Sequence, residues 1–160
     1  MSKQTTRTQA RIRTGRADVP AHAHASARRP AQLLASGLGA VVVFELALAA
    51  GAPWGEAAFG GADPGRLSAE LRITALFAAG FWLLACLTAL ARGGVAASPI
   101  PYAFSRRAIW GLTALLAAGA VMNAASSSPW ERFGMAPFIV VMTALSWRLA
   151  RSCDPAVGRG

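Results

Sequence analysis

Four apolar blocks alternate with polar, glycine- and proline-rich connectors: residues 31–51, 73–91, 108–127 and 134–150. About 20 helical residues at 1.5 Å each cross a hydrocarbon core of roughly 30 Å. The first three blocks reach that length. The fourth is shorter: its apolar part runs from Ala136 to Trp147, and Arg148 must snorkel to the interface for a helix to reach across. A re-entrant or interfacial segment is the alternative for Ala136–Ala150. The pattern predicts an all-α fold, a bundle of four antiparallel transmembrane helices. A disordered basic tail (residues 1–30) precedes it and a short tail (residues 151–160) follows.

The connectors carry the expected stop signals. Pro53, Gly55, Gly60-Gly61 and Pro64-Gly65 punctuate the loop after block one as turns. Ser68 can cap the second helix a little before its apolar part begins. Gly93-Gly94 ends that helix, and Pro99 and Pro101 prevent a continuous one. The connector Ser128–Met135 is short, so the last two helices should form an antiparallel hairpin. Pro137 falls in the first turn of the fourth, where its missing N–H does no harm. Trp54 and Phe59 on one side, and Tyr102, Phe104 and Trp110 on the other, fit interfacial aromatic belts. Ala31, Ala35 and Gly39 in the first helix, and Ala75 and Ala79 in the second, read as seams for close helix packing.

Charge orients this bundle. Seven basic residues precede block one, three lie between blocks two and three, and three follow Trp147; the other two loops hold only Arg66, Arg72 and Arg132. Thirteen against three is the positive-inside pattern for four spans with both termini cytoplasmic. The net charge of +9 is therefore mainly a topology signal, with contact to anionic headgroups as a second reading. The basic segments lack the interleaved aromatics of a nucleic-acid groove. Arg28-Arg29 before an apolar run raises a signal peptide, but the run exceeds the 7–15 residues of a signal h-region, so a retained helix is expected. One lysine against fifteen arginines, with abundant Ala and Gly, points to a GC-rich and bacterial origin, hence an inner membrane.

Candidate chemistry is sparse. Cys86 lies inside block two and Cys153 in the last tail, so no disulfide is expected. His22 and His24, the only histidines, sit in the first tail, too few for a closed metal site. No phosphate loop, H-E-x-x-H or G-x-S-x-G is present. We expect no catalytic residues, no metal and no cofactor, with the bilayer as surroundings and a homo-oligomer or a larger membrane complex as candidate partners.

One residue breaks the pattern. Glu45 is the only ionisable side chain in block one. An acid at that depth costs on the order of 2.5–3.5 kcal/mol to insert and usually serves function. Five Leu, three Val and one Phe in the same block offset it. Asn123 falls at about the same depth in block three, beside Gly119, Ala120, Ser126 and Ser127. A hydrogen bond from Glu45 to Asn123 or to the Ser126–Ser128 cluster is therefore expected, with Arg132 as a second candidate partner. Three roles stay open for Glu45: a packing bond, a proton or cation pathway, and a contact with another protein.

Ala52-Pro53-Trp54-Gly55-Glu56-Ala57-Ala58-Phe59-Gly60-Gly61 resembles the first outer loop of a group of small, uncharacterised, four-span bacterial membrane proteins. The run from Asn123 to Glu131-Arg132 looks like their second signature. The resemblance covers roughly residues 31–150. It implies a membrane fold and no activity, and it points to the outer face near Glu45 and Asn123; with the readings above, the expected outer-facing site comprises Glu45, Asn123, Trp54, Glu131 and Arg132. A weaker likeness, at Ala108-Ile109-Trp110-Gly111 and in the acid of the first helix, is to small multidrug resistance transporters. The long outer loop, the 30-residue tail and the strong charge bias depart from that family. The chain accordingly reads as a non-enzymatic integral membrane protein, with a small proton-coupled transporter using Glu45, or an accessory subunit, as alternatives.

Overall fold

A computed structural model describes residues 21–61, 63–95 and 102–152. Among these the chain is all-helical. It forms α1 (Ala21–Ala50), α2 (Ala69–Arg92), α3 (Tyr102–Ala125) and α4 (Ala136–Ser152), with a six-residue π turn, Trp130–Met135, leading into α4. Four stretches are long and apolar enough to cross a membrane: Ala27–Ala50, Ala69–Arg92, Phe104–Ala125 and Trp130–Ser152.

Two boundaries differ from expectation. The tail expected to be disordered through Pro30 is helical from Ala21, while residues 1–20 lie outside the described residues. Hydrophobic periodicity cannot see this turn because it is polar. What holds it is packing: Ala27 and Ala31 are buried in the core, and the tip of α2 is so close that a Cβ on Gly93 would collide with Ala31. Pro30 sits inside α1 without ending it. The fourth stretch also begins earlier than position 134: Trp130–Ser152 is 23 residues, long and apolar enough to cross a membrane. A proline within a helix crowds the carbonyl four residues back and cannot bond to it. Pro137 is accommodated by the wide turn before it, in which the Ala136 amide reaches back to the Glu131 carbonyl.

α1 packs most extensively on α2, and α3 on α4. α1 also packs on α4, whereas α2 and α3 meet along a thinner seam and α1 and α3 stand diagonally opposite. The main core lies toward the end that gathers Leu34, Leu38, Ile109, Leu112 and Leu149. A buried hydroxyl pair, Thr113 Oγ1 and Ser146 Oγ at 2.7 Å, joins α3 to α4, and the Cys86 thiol donates to the Ala35 carbonyl at 3.4 Å between α2 and α1. Ala31, Ala35, Ala75 and Ala79 are buried, as packing seams require, but Gly39, also expected in the first seam, is only half-buried and has open space where a Cβ would stand.

Candidate functional site

The far end of the bundle is built by the loop after α1. Gly51, at φ +98°, turns the chain out of α1: its amide bonds the Leu48 carbonyl and that of Ala52 bonds Ala47. Only glycine adopts that backbone without penalty, and the paired bonds satisfy carbonyls that the helix end leaves open. Two more are taken by cations. Arg66 Nε donates to the Gly51 carbonyl at 3.1 Å and Arg72 Nε to Ala49 at 2.9 Å. Positive charge at a helix C-terminus complements its dipole. The loop closes on itself through Gly55 N to Gly65 O, 2.8 Å, and Ser68 N to Asp63 Oδ2, 2.9 Å. Ser68 caps α2, accepting from the Leu71 amide. Ala58 and Leu67 from the loop join Leu48 and Ala75 in a small second core.

This loop is tied across the bundle to the turn before the fourth span. The Gly60 amide donates to Glu131 Oε1 at 2.7 Å. The Ser128 hydroxyl donates to the Glu56 carbonyl at 2.6 Å, and that of Ser127 to the Gly60 carbonyl at 3.4 Å. Glu131 is buried. The loop after α1 and the turn after α3 thus meet in space.

Beneath the loop lies a mostly apolar cavity of about 290 Å³. Phe44, Trp82, Phe138 and Met142 contribute to its walls and Ala57, Ala58 and Phe59 border it on the loop side. Its polar lining comes from Glu45, Asn123 and Glu131. Leu115 and Met122, also on its lining, are exposed on the outer surface of α3.

Three of the five expected site residues, Glu45, Asn123 and Glu131, therefore line one cavity. The expected hydrogen bond from Glu45 is absent. Asn123 Nδ2 donates instead to the Gly119 carbonyl in its own helix, 2.9 Å away, and the three serines are engaged with the turn and loop. Glu45 is half-buried, and its Oε2 is enclosed without a hydrogen-bond partner among the described residues. Arg132 is exposed and, among the described residues, pairs with neither Glu45 nor Glu131. Trp54 is half-exposed and stacks on Phe44, with ring centroids 6.2 Å apart and planes 8° from parallel, so it braces a cavity wall from outside.

Sequence reasoning missed Gly60, Ser128, Arg66 and Arg72 as determinants of this end. The Gly60-Gly61 pair and the serine run were visible, but Gly60 bonds Glu131 through its backbone amide and the Ser127 and Ser128 hydroxyls bond backbone carbonyls, and backbone atoms carry no residue identity. Among the described residues no three His, Cys, Asp or Glu side chains lie close enough together to hold a metal ion. No protein-family description, curated protein or solved structure matches the chain.

Proposed function

We propose that this chain is a non-enzymatic carrier of the bacterial inner membrane, with both termini in the cytoplasm, which takes a small, largely apolar solute into the cavity beneath its outer loop and uses Glu45 as a proton-exchanging group. The single observation that carries this reading is Glu45 Oε2, enclosed at the cavity wall with no partner among the described residues. A residue kept only to pack two helices would be expected to spend its hydrogen-bonding capacity, because leaving a buried polar atom unsatisfied costs about 1–3 kcal/mol. A carboxylate lining a cavity can gain and lose a proton, or meet a ligand, without breaking an internal bond. The cytoplasmic placement of the termini rests on the excess of basic residues at their end of the bundle. The bacterial origin rests on the arginine-rich composition, and the outer-loop resemblance supports the same kind of protein.

Proteoliposomes with a pH-sensitive dye sealed inside test the reading. Wild-type protein is expected to carry proton equivalents down an imposed pH gradient. Glu45→Gln and Glu45→Ala, both unable to exchange a proton, are expected to abolish that flux while remaining folded. Undiminished flux in Glu45→Gln would remove Glu45 from proton chemistry.

A further inference from the structure

The opposite end of the bundle is chemically one-sided. Arg28 and Arg29 lie in α1, Arg92 closes α2, Arg106 and Arg107 lie near the start of α3, and Arg148 and Arg151 near the end of α4. Among the described residues this end holds no Asp or Glu. An excess of arginine is enough to orient a membrane protein, and it requires no particular arrangement. On the α3–α4 edge, however, there is one. Trp110 meets Trp147 edge to face, with centroids 5.2 Å apart and planes at 84°. The Arg151 guanidinium lies over the Trp147 ring, 5.9 Å from its centroid. Arg107 stands one turn before Trp110 and Arg151 one turn after Trp147. Because the helices are antiparallel, both arginines lie farther out than the tryptophans, toward the same end. Both are exposed.

Each layer matches a different part of one kind of molecule. A guanidinium presents a planar fork of donors that suits phosphate oxygens, and stacking on an indole limits its freedom before a ligand arrives. Tryptophan favours the level where headgroups meet acyl chains. One turn deeper, Ala114 on α3 and Ala144 on α4 are exposed and small, leaving space beside the helix pair for a chain. We propose that the α3–α4 edge at the arginine-rich end is a headgroup site for an anionic phospholipid: Arg107 and Arg151 hold the phosphate, Trp110 and Trp147 support the glycerol region, and an acyl chain lies along the helices below. Basic sites between transmembrane helices suit such headgroups. The site is independent of the cavity at Glu45 and of any transport through it.

The test uses the full chain in mild detergent, titrated with phosphatidylglycerol or phosphatidylcholine and followed by native mass spectrometry. Wild-type protein is expected to retain phosphatidylglycerol in preference to phosphatidylcholine. Arg107→Gln with Arg151→Gln is expected to weaken phosphatidylglycerol binding about thirtyfold, since each arginine near an anionic surface contributes about a fivefold effect. Arg28→Gln with Arg29→Gln removes equal charge from the same end and is expected to change binding less than about threefold. Equal losses in the two pairs, or no lipid preference in the wild type, would overturn the site in favour of diffuse attraction. A second measurement leaves the arginines intact. With Trp54, Trp82 and Trp130 replaced by Phe, only Trp110 and Trp147 emit, and brominated phosphatidylglycerol should quench them more than brominated phosphatidylcholine. Equal quenching would also overturn the proposal.

Discussion

The amide of Gly60 and the carboxylate of Glu131 meet at 2.7 Å across 71 positions of sequence, joining the loop after α1 to the turn that opens the fourth span. The loop backbone is shaped for this meeting. Phe59, Gly60 and Gly61 lie in succession at φ +51°, +75° and +71°. For Phe59 the left-handed conformation costs roughly 1–2 kcal/mol, which neighbouring interactions must offset. The hydrogen bonds from Gly60, Ser127 and Ser128 are the available compensation. Because Glu131 also lines the cavity, the bond that fixes the loop lies on the boundary of the candidate site.

Glu131→Ala should therefore loosen the loop without unfolding the bundle. Deleting the acceptor strips the Gly60 amide of its partner, a loss of about 1–3 kcal/mol in local stability. Hydrogen exchange followed by mass spectrometry should show faster exchange across residues 57–61 and little change in α2 or α3. Glu131→Gln keeps a carbonyl acceptor in nearly the same place and should show a smaller effect. Unchanged exchange in Glu131→Ala would mean that the serine contacts alone hold the loop.

Two glycines should respond oppositely to alanine. Gly51 ends α1 at φ +98°, and a Cβ there would lie 2.6 Å from the Arg66 guanidinium, displacing the arginine that caps the helix. Gly51→Ala should lose about 1–2 kcal/mol through backbone strain, and more with the cap. Gly80 lies within α2 with nothing near the position of an added Cβ. Gly80→Ala should be neutral or stabilising by up to about 1 kcal/mol, because glycine is a poor helix former. Thermal unfolding of the two variants in the same detergent checks the order. A Gly51→Ala protein as stable as Gly80→Ala would refute the capping account.

The sequence exposed those features that repeat along the chain or act locally. Four spans follow from apolar run length, the end of α2 from Gly93-Gly94, and its start from Ser68. The first turns of α1 escaped notice because a polar helix held by Ala27 and Ala31 leaves no apolar run. The early start of the fourth span escaped because a π turn has no simple composition. Pairing Glu45 with Asn123 assumed that polar side chains at equal depth seek one another. A helix offers a nearer acceptor, however, and Asn123 takes the Gly119 carbonyl four residues back. Glu45, Asn123 and Glu131 do share a cavity, and depth alone made that legible for the first two. The latch itself did not show, since Gly60 and Glu56 contribute only backbone atoms to it.

Packing near the arginine-rich end gives a comparison that separates rigid from yielding neighbours. A Cβ on Gly93 would overlap the Ala31 Cβ, and one on Gly37 would overlap the thioether of Met142. Alanine cannot move without shifting α1, whereas a methionine side chain can choose another rotamer. Gly93→Ala should therefore cost about 1–3 kcal/mol, the usual range for overpacking, and Gly37→Ala clearly less. Replacing Met142 with Ala in the Gly37→Ala background should relieve whatever strain remains, although it opens a cavity of its own. Chemical denaturation in mixed micelles reads both. Equal destabilisation by the two glycine substitutions would show that the Met142 side chain is as confined as the backbone beside Gly93.

Glu45→Leu sets stability against function. Leucine is close to glutamate in size, carries no group that needs a partner, and suits the apolar wall formed with Phe44 and Met142. The substitution removes an enclosed carboxyl oxygen that has no partner among the described residues, a cost of about 1–3 kcal/mol, and forfeits no hydrogen bond that they make. Glu45→Leu should therefore raise resistance to thermal and detergent unfolding, by up to about 2 kcal/mol once partial exposure to water in the cavity is allowed for. The same variant should lose the proton flux assigned to Glu45. A structural hydrogen bond predicts the reverse on the first measurement, because deleting a buried partner destabilises. Unfolding curves for wild type, Glu45→Gln and Glu45→Leu therefore discriminate the two roles without knowledge of a substrate: stability rising from Glu to Gln to Leu marks a residue kept at the expense of the fold, and a fall at Leu marks one that holds the fold together.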